Sequence, residues 1–192
     1  IGAWTGHSHL RVINNHEDFD AKIKRVIKEI SNVLALPSPI EEERKYIVRL
    51  TGDIPECTTS EITQTYLVAD PDSEVRLRKR VWNGKPVYLL NSKKKVSPRE
   101  QIETEQQVNS NLYITMMQQA DPYRRTIEKT RRSFIWKGQF FELDTYKVPE
   151  GLMILETKGV TANEEVKIPP FLEAVEDITG RKEDYNYNLA KR

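Results

Sequence analysis

Charged residues recur at every second position along segments that otherwise favour β-strands, and this alternation constrains the fold more than any other feature. It first occurs at Glu41, Glu43 and Lys45, which lead into the largely apolar segment 46–50. Side chains alternate between the two faces of a strand, so these three charges share one face. Like charges about 6.7 Å apart repel by roughly 2.5 kcal/mol at an effective dielectric of about 20. If enclosed, such a face needs neutralising partners.

One segment of this kind usually marks a solvated face or a blunted sheet edge. Here the alternation recurs along the chain, which argues against a single isolated edge. The further charged positions are Arg76, Arg78, Arg80, Lys93, Arg99, Glu103, Glu105, Lys129, Arg131, Glu156 and Lys158. We interpret them as one charged face that is shared by a whole sheet.

The composition is that of a globular protein with many charges. The 192 residues are 38% hydrophobic and 31% charged, which suits one large domain or one domain with an extension. The net charge of +1 provides no overall attraction for nucleic acid, and we expect no such partner. The only cysteine, Cys57, favours a reducing compartment. Because no apolar run approaches the ~18 residues of a membrane span, we expect a cytoplasmic protein.

Apolar periodicity predicts two long helices, over residues 17–36 and 109–119, and a short helix over residues 169–178. About eight strands, joined mainly by hairpins such as the one at Asn83-Gly84, account for most of the remaining chain. Eight strands are enough to close a sheet on itself. The sequence therefore predicts an α+β fold, a closed antiparallel eight-stranded β-barrel with flanking helices.

In such a barrel, the two long helices can cover an apolar exterior, so that the charged faces line a central cavity. Its surplus of cations calls for an anion, because buried charges cost several kcal/mol each unless they are paired or liganded. Arginine binds phosphate through two N–H groups, and neighbouring carboxylates can hold Mg²⁺ or Mn²⁺. The predicted phosphate ligands are Lys45, Arg76, Arg78, Arg80, Lys93, Arg99, Lys129, Arg131 and Lys158, and the predicted metal ligands are Glu41, Glu43, Glu103, Glu105 and Glu156.

The motif E-x-E-x-K stands at Glu41, Glu43 and Lys45, and further segments follow it in a characteristic order. They are residues 64–67, 76–80, 90–93, Arg99 with Glu103 and Glu105, and residues 129–131, 141–144 and 187–190. In order and spacing they resemble the CYTH, or triphosphate tunnel metalloenzyme, superfamily. The resemblance covers about residues 40–192 and implies a triphosphate tunnel domain. It also implies that glutamates hold a metal while basic residues hold the triphosphate that is cleaved.

The segment 1–39 resembles the connector in animal proteins that fuse an N-terminal P-loop domain to such a tunnel. Because the sequence begins at Ile1 without methionine, we expect that domain to precede it in a longer protein. The sequence itself contains no Walker A motif. The resemblance implies binding of GTP and phosphoinositides, peripheral contact with vesicle membranes, and a role in ion-channel trafficking.

Lys158 departs from the family pattern, because catalytic members typically have a glutamate there. The exchange favours holding phosphate over hydrolysing it. Our first interpretation is therefore a non-catalytic module that binds a nucleoside triphosphate or a phosphoinositide headgroup. The alternative is a metal-dependent triphosphate hydrolase in which Glu41, Glu43 and Lys45 are catalytic. A third interpretation is an interaction barrel whose ion pairs satisfy one another.

Overall fold

A computed structural model describes residues 11–13, 19–39, 43–97, 100–158 and 166–192. Of the predicted site residues, Glu41 and Arg99 lie outside these ranges. The helices are α1 Phe19–Val33, α2 Ser110–Met116 and α3 Asn186–Leu189, with short 3-10 helices at Met117–Gln119 and Lys182–Asp184. The strands are β1 Ser38–Pro39, β2 Glu43–Leu50, β3 Thr58–Tyr66, β4 Ser73–Trp82, β5 Lys85–Ser97, β6 Glu100–Val108, β7 Ile127–Trp136, β8 Gln139–Val148, β9 Met153–Lys158 and β10 Leu172–Asp177.

The ten strands form one antiparallel sheet in the order β1-β6-β5-β4-β3-β7-β8-β9-β2-β10. The antiparallel prediction is confirmed, but the predicted count of eight strands is wrong, because β1 and β10 add a strand at each edge. Within the described residues these two edges do not pair with each other, so closure into a barrel stays a prediction. The predicted boundary after residue 39 also stays a prediction, and β1 lies on its N-terminal side.

The sheet is strongly curved, because charged residues on two strands that are far apart in the strand order interact electrostatically. Burial alone would raise the pKa of the Glu43 carboxyl on β2, but neighbouring cations hold that pKa well below its usual range, and Lys93 on β5 is one of them. In the strand order, β2 and β5 are six positions apart. Flat strands would put them roughly 29 Å apart, where exposed charges are screened. Curvature must therefore bring the two strands towards each other.

Apolar side chains gather on the convex side of this sheet. One buried cluster consists of Val48, Phe134, Phe141, Leu143, Leu155 and Leu172. In a second cluster, Tyr113 of α2 packs with Leu77 and Val108. Asn109 caps α2 by accepting a hydrogen bond from the Leu112 N–H at 2.9 Å. As expected, this helix covers apolar side chains of the strands.

The prediction that the first long helix packs by its apolar stripe is wrong for the residues described. The exposed fraction reaches 75% at both ends of the stripe. The exposed large apolar side chains of α1 are Phe19, Ile23, Ile27, Ile30 and Val33. Glu29, which lies on the more polar side of the helix, pairs with Arg11. In the part of the chain that the structure describes, no helix has the length and apolar character needed to cross a bilayer.

The short helix predicted for residues 169–178 is also wrong, because residues 172–177 form strand β10. Leu172 stands opposite Leu50, and Asp177 stands opposite Tyr46, with a bulge between Ala174 and Glu176. The backbone groups along β2 would otherwise lack partners on this side, and β10 pairs with them. Tertiary pairing therefore overrides the helix preference of leucine, glutamate and alanine.

Apolar residues and the C-terminal segment close one end of the concave side. The buried members of this cluster are Tyr66, Ile127, Tyr146, Ile154, Ile178 and Ala190. The Arg125 N–H donates to the Ala190 carbonyl at 2.7 Å, which fixes the C-terminal segment beside β7. One end of the concave side is therefore lined by apolar side chains, and the rest of that side carries charged ones.

Candidate functional site

The concave side of the sheet collects the charged side chains of β2 and of β4–β9. Residues that stand opposite each other on antiparallel strands point to the same side. Glu156 stands opposite both Lys45 and Glu142, and Arg131 stands opposite Asp144. We call this surface the charged face. Its main members are Glu43, Lys45, Glu74, Arg76, Arg78, Arg80, Lys93, Glu103, Glu105, Lys129, Arg131, Glu142, Asp144, Glu156 and Lys158.

Four cations and four carboxylates on β2, β7, β8 and β9 form what we call the paired half of the charged face. They are Lys45, Lys129, Arg131 and Lys158 with Glu43, Glu142, Asp144 and Glu156. Each of these eight side chains has an oppositely charged partner within the group. The paired half is therefore neutral without a ligand.

Arg131 lies at the centre of the paired half. Its Nε and Nη2 donate to the two carboxylate oxygens of Asp144, both at 2.7 Å. Its Nη1 donates to Glu142 Oε2 at 2.6 Å, and its Nη2 lies 3.3 Å from Glu156 Oε2. Burial alone would lower the pKa of Arg131, but Asp144 and Glu142 raise it well above its usual value. A bidentate guanidinium pair of this kind fixes strands β7 and β8.

Lys129 and Asp144 form an ion pair in the interior, with exposed fractions of 2% and 0%. Burial alone would raise the pKa of Asp144, but Arg131 and Lys129 hold it well below its usual range. Burial lowers the pKa of Lys129 to about 8, although Asp144 opposes this effect. Because Asp144 already binds Arg131, we regard Arg131 as its main partner and Lys129 as the weaker one.

The described residues of the E-x-E-x-K motif are held in a chain of ion pairs. Lys45 Nζ lies 3.0 Å from Glu43 Oε2 and 3.0 Å from Glu156 Oε1. Lys158 Nζ lies 3.0 Å from the other oxygen of Glu43. Burial alone would lower the pKa of Lys45, but Glu156 and Glu43 raise it above its usual value. Lys158 therefore occupies a carboxylate oxygen of this motif.

The strands β4, β5 and β6 carry what we call the guanidinium half of the charged face. In the described part of these strands, it comprises four cations and only three carboxylates. They are Arg76, Arg78, Arg80 and Lys93 with Glu74, Glu103 and Glu105. This half has more positive than negative charge and is the part of the face that an anion would neutralise.

Arg78 is the least satisfied guanidinium of this half. Its Nη1 lies 3.7 Å from Glu105 Oε2, and its Nη2 donates to Gln64 Oε1 at 3.3 Å. Its Nε is buried and has no hydrogen-bond partner among the described residues. Burial and the charges of Arg76 and Arg131 lower the pKa of Arg78 to about 10. An anion at this position would supply the acceptor that Arg78 lacks.

The other cations of the guanidinium half contact carboxylates or a hydroxyl at 3.2 to 3.4 Å. Arg76 Nη1 lies 3.4 Å from Glu74 Oε1, and its Nε has no hydrogen-bond partner in the described part of the chain. Arg80 Nε donates to the hydroxyl of Ser60 at 3.3 Å. Lys93 Nζ lies 3.2 Å from Glu103 Oε1. Several N–H groups on β4 are thus directed into one concave surface.

The structure brings the described phosphate-ligand predictions onto the charged face, and their role as ligands stays a prediction. Sequence reasoning left Glu142 and Asp144 out of the site, although they show the same spacing of two that identified the other strands. It also left out the amides Gln64 and Asn91, because the alternation concerned charged residues only. Arg11 was not selected either, because it precedes the strands.

The residue types of the charged face suit the predicted metal, but the arrangement of the described ones does not. Carboxylate oxygens are suitable ligands for Mg²⁺ or Mn²⁺. However, in the part of the chain that the structure describes, no three acidic, histidine or cysteine side chains come together to hold a metal ion. The described oxygens of Glu43 and Glu156 face cations instead. These residues do not fit a preformed metal centre, and the cofactor stays a prediction.

Comparison with solved structures shows that the chain has a CYTH-like fold. The chain is structurally similar to the inorganic triphosphatase NE1496, with a TM-score of 0.57 and 27% sequence identity. That similarity covers 78% of this chain and 97% of NE1496. A second structure of NE1496, described as a hypothetical protein, gives a TM-score of 0.57 and 26% identity over 79% of this chain and 97% of the other.

The protein PH1819 from Pyrococcus horikoshii OT3 is a weaker neighbour. Its TM-score is 0.44 at 20% identity, over 64% of this chain and 80% of that chain. This overlap is too low to support an inference. No protein-family model matches the sequence, and no curated protein matches it.

Proposed function

We propose that the charged face binds a linear triphosphate and that the protein hydrolyses it to diphosphate and phosphate. The observation that carries this proposal is the uneven distribution of charge. The paired half is neutral, whereas the guanidinium half contains two buried N–H groups, Nε of Arg76 and of Arg78, that have no acceptor among the described residues. A chain of phosphate oxygens is the kind of ligand that several parallel guanidinium groups bind.

The similarity to an inorganic triphosphatase supports hydrolysis over simple retention. It extends over 97% of that protein, so the likeness is not restricted to a common substructure. Sequence reasoning ranked a non-catalytic module first because of Lys158. The comparison favours the alternative, a triphosphate hydrolase of the tunnel type.

The reaction would depend mainly on charge stabilisation, as phosphoryl transfer generally does. Arg76, Arg78 and Arg80 would bind the phosphate oxygens. The oxygen of a water molecule forms a bond to the terminal phosphorus while the bridging P–O bond breaks and diphosphate leaves. The proton of the attacking water would pass to bulk water, because Glu142 and Glu156 are already paired with Arg131 and Lys45.

No step of this proposal passes through a metal ion, since the described carboxylates do not form a metal centre. The prediction of Mg²⁺ or Mn²⁺, held by the glutamates, remains a separate proposal. It is tested by measuring phosphate release with each ion and with a chelator present.

The decisive experiment measures phosphate release from inorganic triphosphate, ATP and GTP by wild-type protein, Arg78→Met and Arg132→Met. Arg132 follows Arg131 on β7 and donates to the Thr145 hydroxyl at 3.3 Å, so it is a matched control. We expect kcat/KM for inorganic triphosphate to fall about 10- to 100-fold in Arg78→Met, because a charged hydrogen bond is worth about 1.5–3 kcal/mol. Arg132→Met should match wild type. The absence of release by wild-type protein would contradict the proposal.

The second candidate function is retention of a phosphorylated ligand without turnover. The pairing of Lys158 with Glu43 at 3.0 Å favours it, because this cation occupies an oxygen of the E-x-E-x-K motif. Lys158→Glu separates the two functions. If Lys158 suppresses hydrolysis, the variant should release phosphate faster than wild type, whereas an equal rate would remove the reason for this second candidate.

The finer resemblance is to the tunnel domain of the TRPL translocation defect protein of fly photoreceptors and its animal relatives. The comparisons provide no support for this link or for a role in vesicle and ion-channel trafficking. GTP or phosphoinositide binding, a preceding P-loop domain, peripheral membrane contact and cytoplasmic localisation stay predictions as well. The phosphate-release assay with inorganic triphosphate, ATP and GTP tests the use of GTP, because it compares GTP directly with inorganic triphosphate.

A further inference from the structure

Arg11 lies in the short described segment that precedes α1, yet it reaches the charged face. Its Nε lies 3.0 Å from Glu29 Oε2 on α1. Its Nη2 donates to Glu105 Oε1 on β6 at 3.3 Å. One guanidinium thus joins the helix to a carboxylate of the guanidinium half.

Glu105 is shared between Arg11 and the interior of the site. Its Oε2 accepts a hydrogen bond from Asn91 Nδ2 at 2.8 Å. The same oxygen lies 3.7 Å from Arg78 Nη1, beyond hydrogen-bond distance. Glu105 is therefore held more closely by Arg11 and Asn91 than by Arg78.

This arrangement determines how close the negatively charged carboxylate of Glu105 lies to Arg78. Glu105 is the carboxylate that forms an ion pair with Arg78 in the described part of the chain. If it were released from Arg11, rotation of its side chain would bring it onto the guanidinium. Arg78 would then be neutralised from within the protein and would bind an external anion less well.

We propose that Arg11 is a positioning residue for the phosphate site, which holds Glu105 away from Arg78 and so keeps Arg78 available for a triphosphate oxygen. The proposal rests on the proposed function, because it takes triphosphate as the ligand. Glu29 orients Arg11, so α1 acts on the site without touching the ligand.

Arg11 also contributes to the electrostatics of the neighbouring groups. Burial alone would raise the pKa of Glu105, but Arg78, Asn91 and also Arg11 lower it, so the carboxylate is charged. Burial lowers the pKa of Arg80, and the positive charge of Arg11 contributes to the same direction. The charge of Arg11 therefore acts on the guanidinium half as well as on its ion-pair partner.

The test is calorimetric titration of inorganic triphosphate into wild-type protein, Arg11→Ala and Arg11→Lys. We expect the dissociation constant to rise about three- to fivefold in Arg11→Ala, as for a partly exposed ion pair. Lysine retains the charge but lacks the planar guanidinium that spans two carboxylates. The dissociation constant of Arg11→Lys should therefore lie between those of wild type and Arg11→Ala. The kcat for triphosphate should remain that of wild type. Arg49→Ala is the matched control, because Arg49 is 71% exposed and its partner Glu173 is 4.0 Å away.

A double-mutant cycle tests the route through Glu105. In a Glu105→Gln background, Arg11→Ala should have no further effect on the dissociation constant. An equal loss in both backgrounds would overturn the proposal, because Arg11 would then act by its own charge alone. Unchanged affinity in Arg11→Ala would also overturn it. Failure of wild-type protein to bind triphosphate would overturn the proposed function, whereas normal binding by wild-type protein that Arg11→Ala leaves unchanged would overturn this inference alone.

Discussion

Arg131 and Arg78 are both largely enclosed arginines on the same charged face, yet their surroundings differ sharply. Arg131 contacts three carboxylates at 2.6 to 3.3 Å, whereas the carboxylate oxygen that pairs with Arg78 among the described residues is 3.7 Å away. Burial alone would lower the pKa of both arginines. Carboxylates nevertheless raise the pKa of Arg131 well above its usual value, while the pKa of Arg78 falls to about 10. We therefore infer that the paired half stabilises the sheet, and we propose that the guanidinium half binds the ligand.

This comparison separates two reasons for burying a charge. In the paired half, each ion pair offsets the desolvation of its members, and removal of one member leaves its partners uncompensated. In the guanidinium half, part of the desolvation is not offset until an anion binds. Substitutions in the two halves should therefore affect different measurements.

The largest effect is expected for Arg131→Ala. It leaves Asp144, Glu142 and Glu156 without their shared partner, so the free energy of unfolding should fall by about 3–5 kcal/mol. Urea denaturation measures this loss. Arg132→Ala, on the same strand, should cost less than about 1 kcal/mol, because its side chain makes one hydrogen bond to Thr145 and a weak charge interaction with the exposed Glu61. Equal losses for the two variants would mean that the ion pairs of Arg131 add nothing to the stability of the sheet.

Arg78→Met should have the opposite profile. Replacing a poorly paired buried guanidinium by an apolar side chain is expected to leave the free energy of unfolding unchanged or to raise it. Affinity for inorganic triphosphate should fall about 10- to 100-fold. Urea denaturation and calorimetry on the same preparation check both parts. A destabilised Arg78→Met that binds triphosphate normally would reverse the assignment of the two halves.

Acid should unfold the protein through the carboxylates of the paired half. In the folded state, Asp144 and Glu156 have a lowered pKa, because cations outweigh the effect of burial. Their stabilisation is complete above the unfolded values of about 3.9 and 4.3 and is lost as pH falls through the folded values. Each unit of pKa difference corresponds to about 1.4 kcal/mol.

Unfolding free energies measured between pH 7 and pH 3 check this expectation. Asp144→Asn should reduce the dependence on pH, although it lowers stability at neutral pH by removing a partner of Arg131. A wild-type unfolding free energy that does not change below pH 4 would contradict the account of the paired half.

The smallest effect is expected at the rim of the face. Lys158 is 50% exposed, so Lys158→Gln should change the free energy of unfolding by less than about 1 kcal/mol. Thermal denaturation at low and high salt measures it. A loss comparable to that of Arg131→Ala would mean that the rim and the centre contribute equally.

The charged face could be predicted because strand periodicity is a local property. A spacing of two puts Arg76, Arg78 and Arg80 on one side of β4, whatever the rest of the chain does. The same rule would have included Glu142 and Asp144. Which charges meet across strands could not be predicted, because it depends on the register between segments that are far apart in sequence.

Two elements show where local sequence is insufficient. Residues 172–177 contain good helix formers, but they pair with β2 because its backbone groups need partners. The periodicity of α1 correctly predicted a helix, but not that its apolar stripe would be exposed in the described structure. In both cases a neighbouring element determined the outcome.

Thermal denaturation with inorganic triphosphate tests the central claim most directly, since it requires no knowledge of turnover. At one hundred times its dissociation constant for wild-type protein, triphosphate should stabilise wild-type protein by about 2.7 kcal/mol. At the same concentration it should stabilise Arg78→Met, whose affinity is about 10- to 100-fold lower, by only about 0.4–1.4 kcal/mol. Equal stabilisation of both proteins, or of neither, would contradict the claim that the guanidinium half is the triphosphate site.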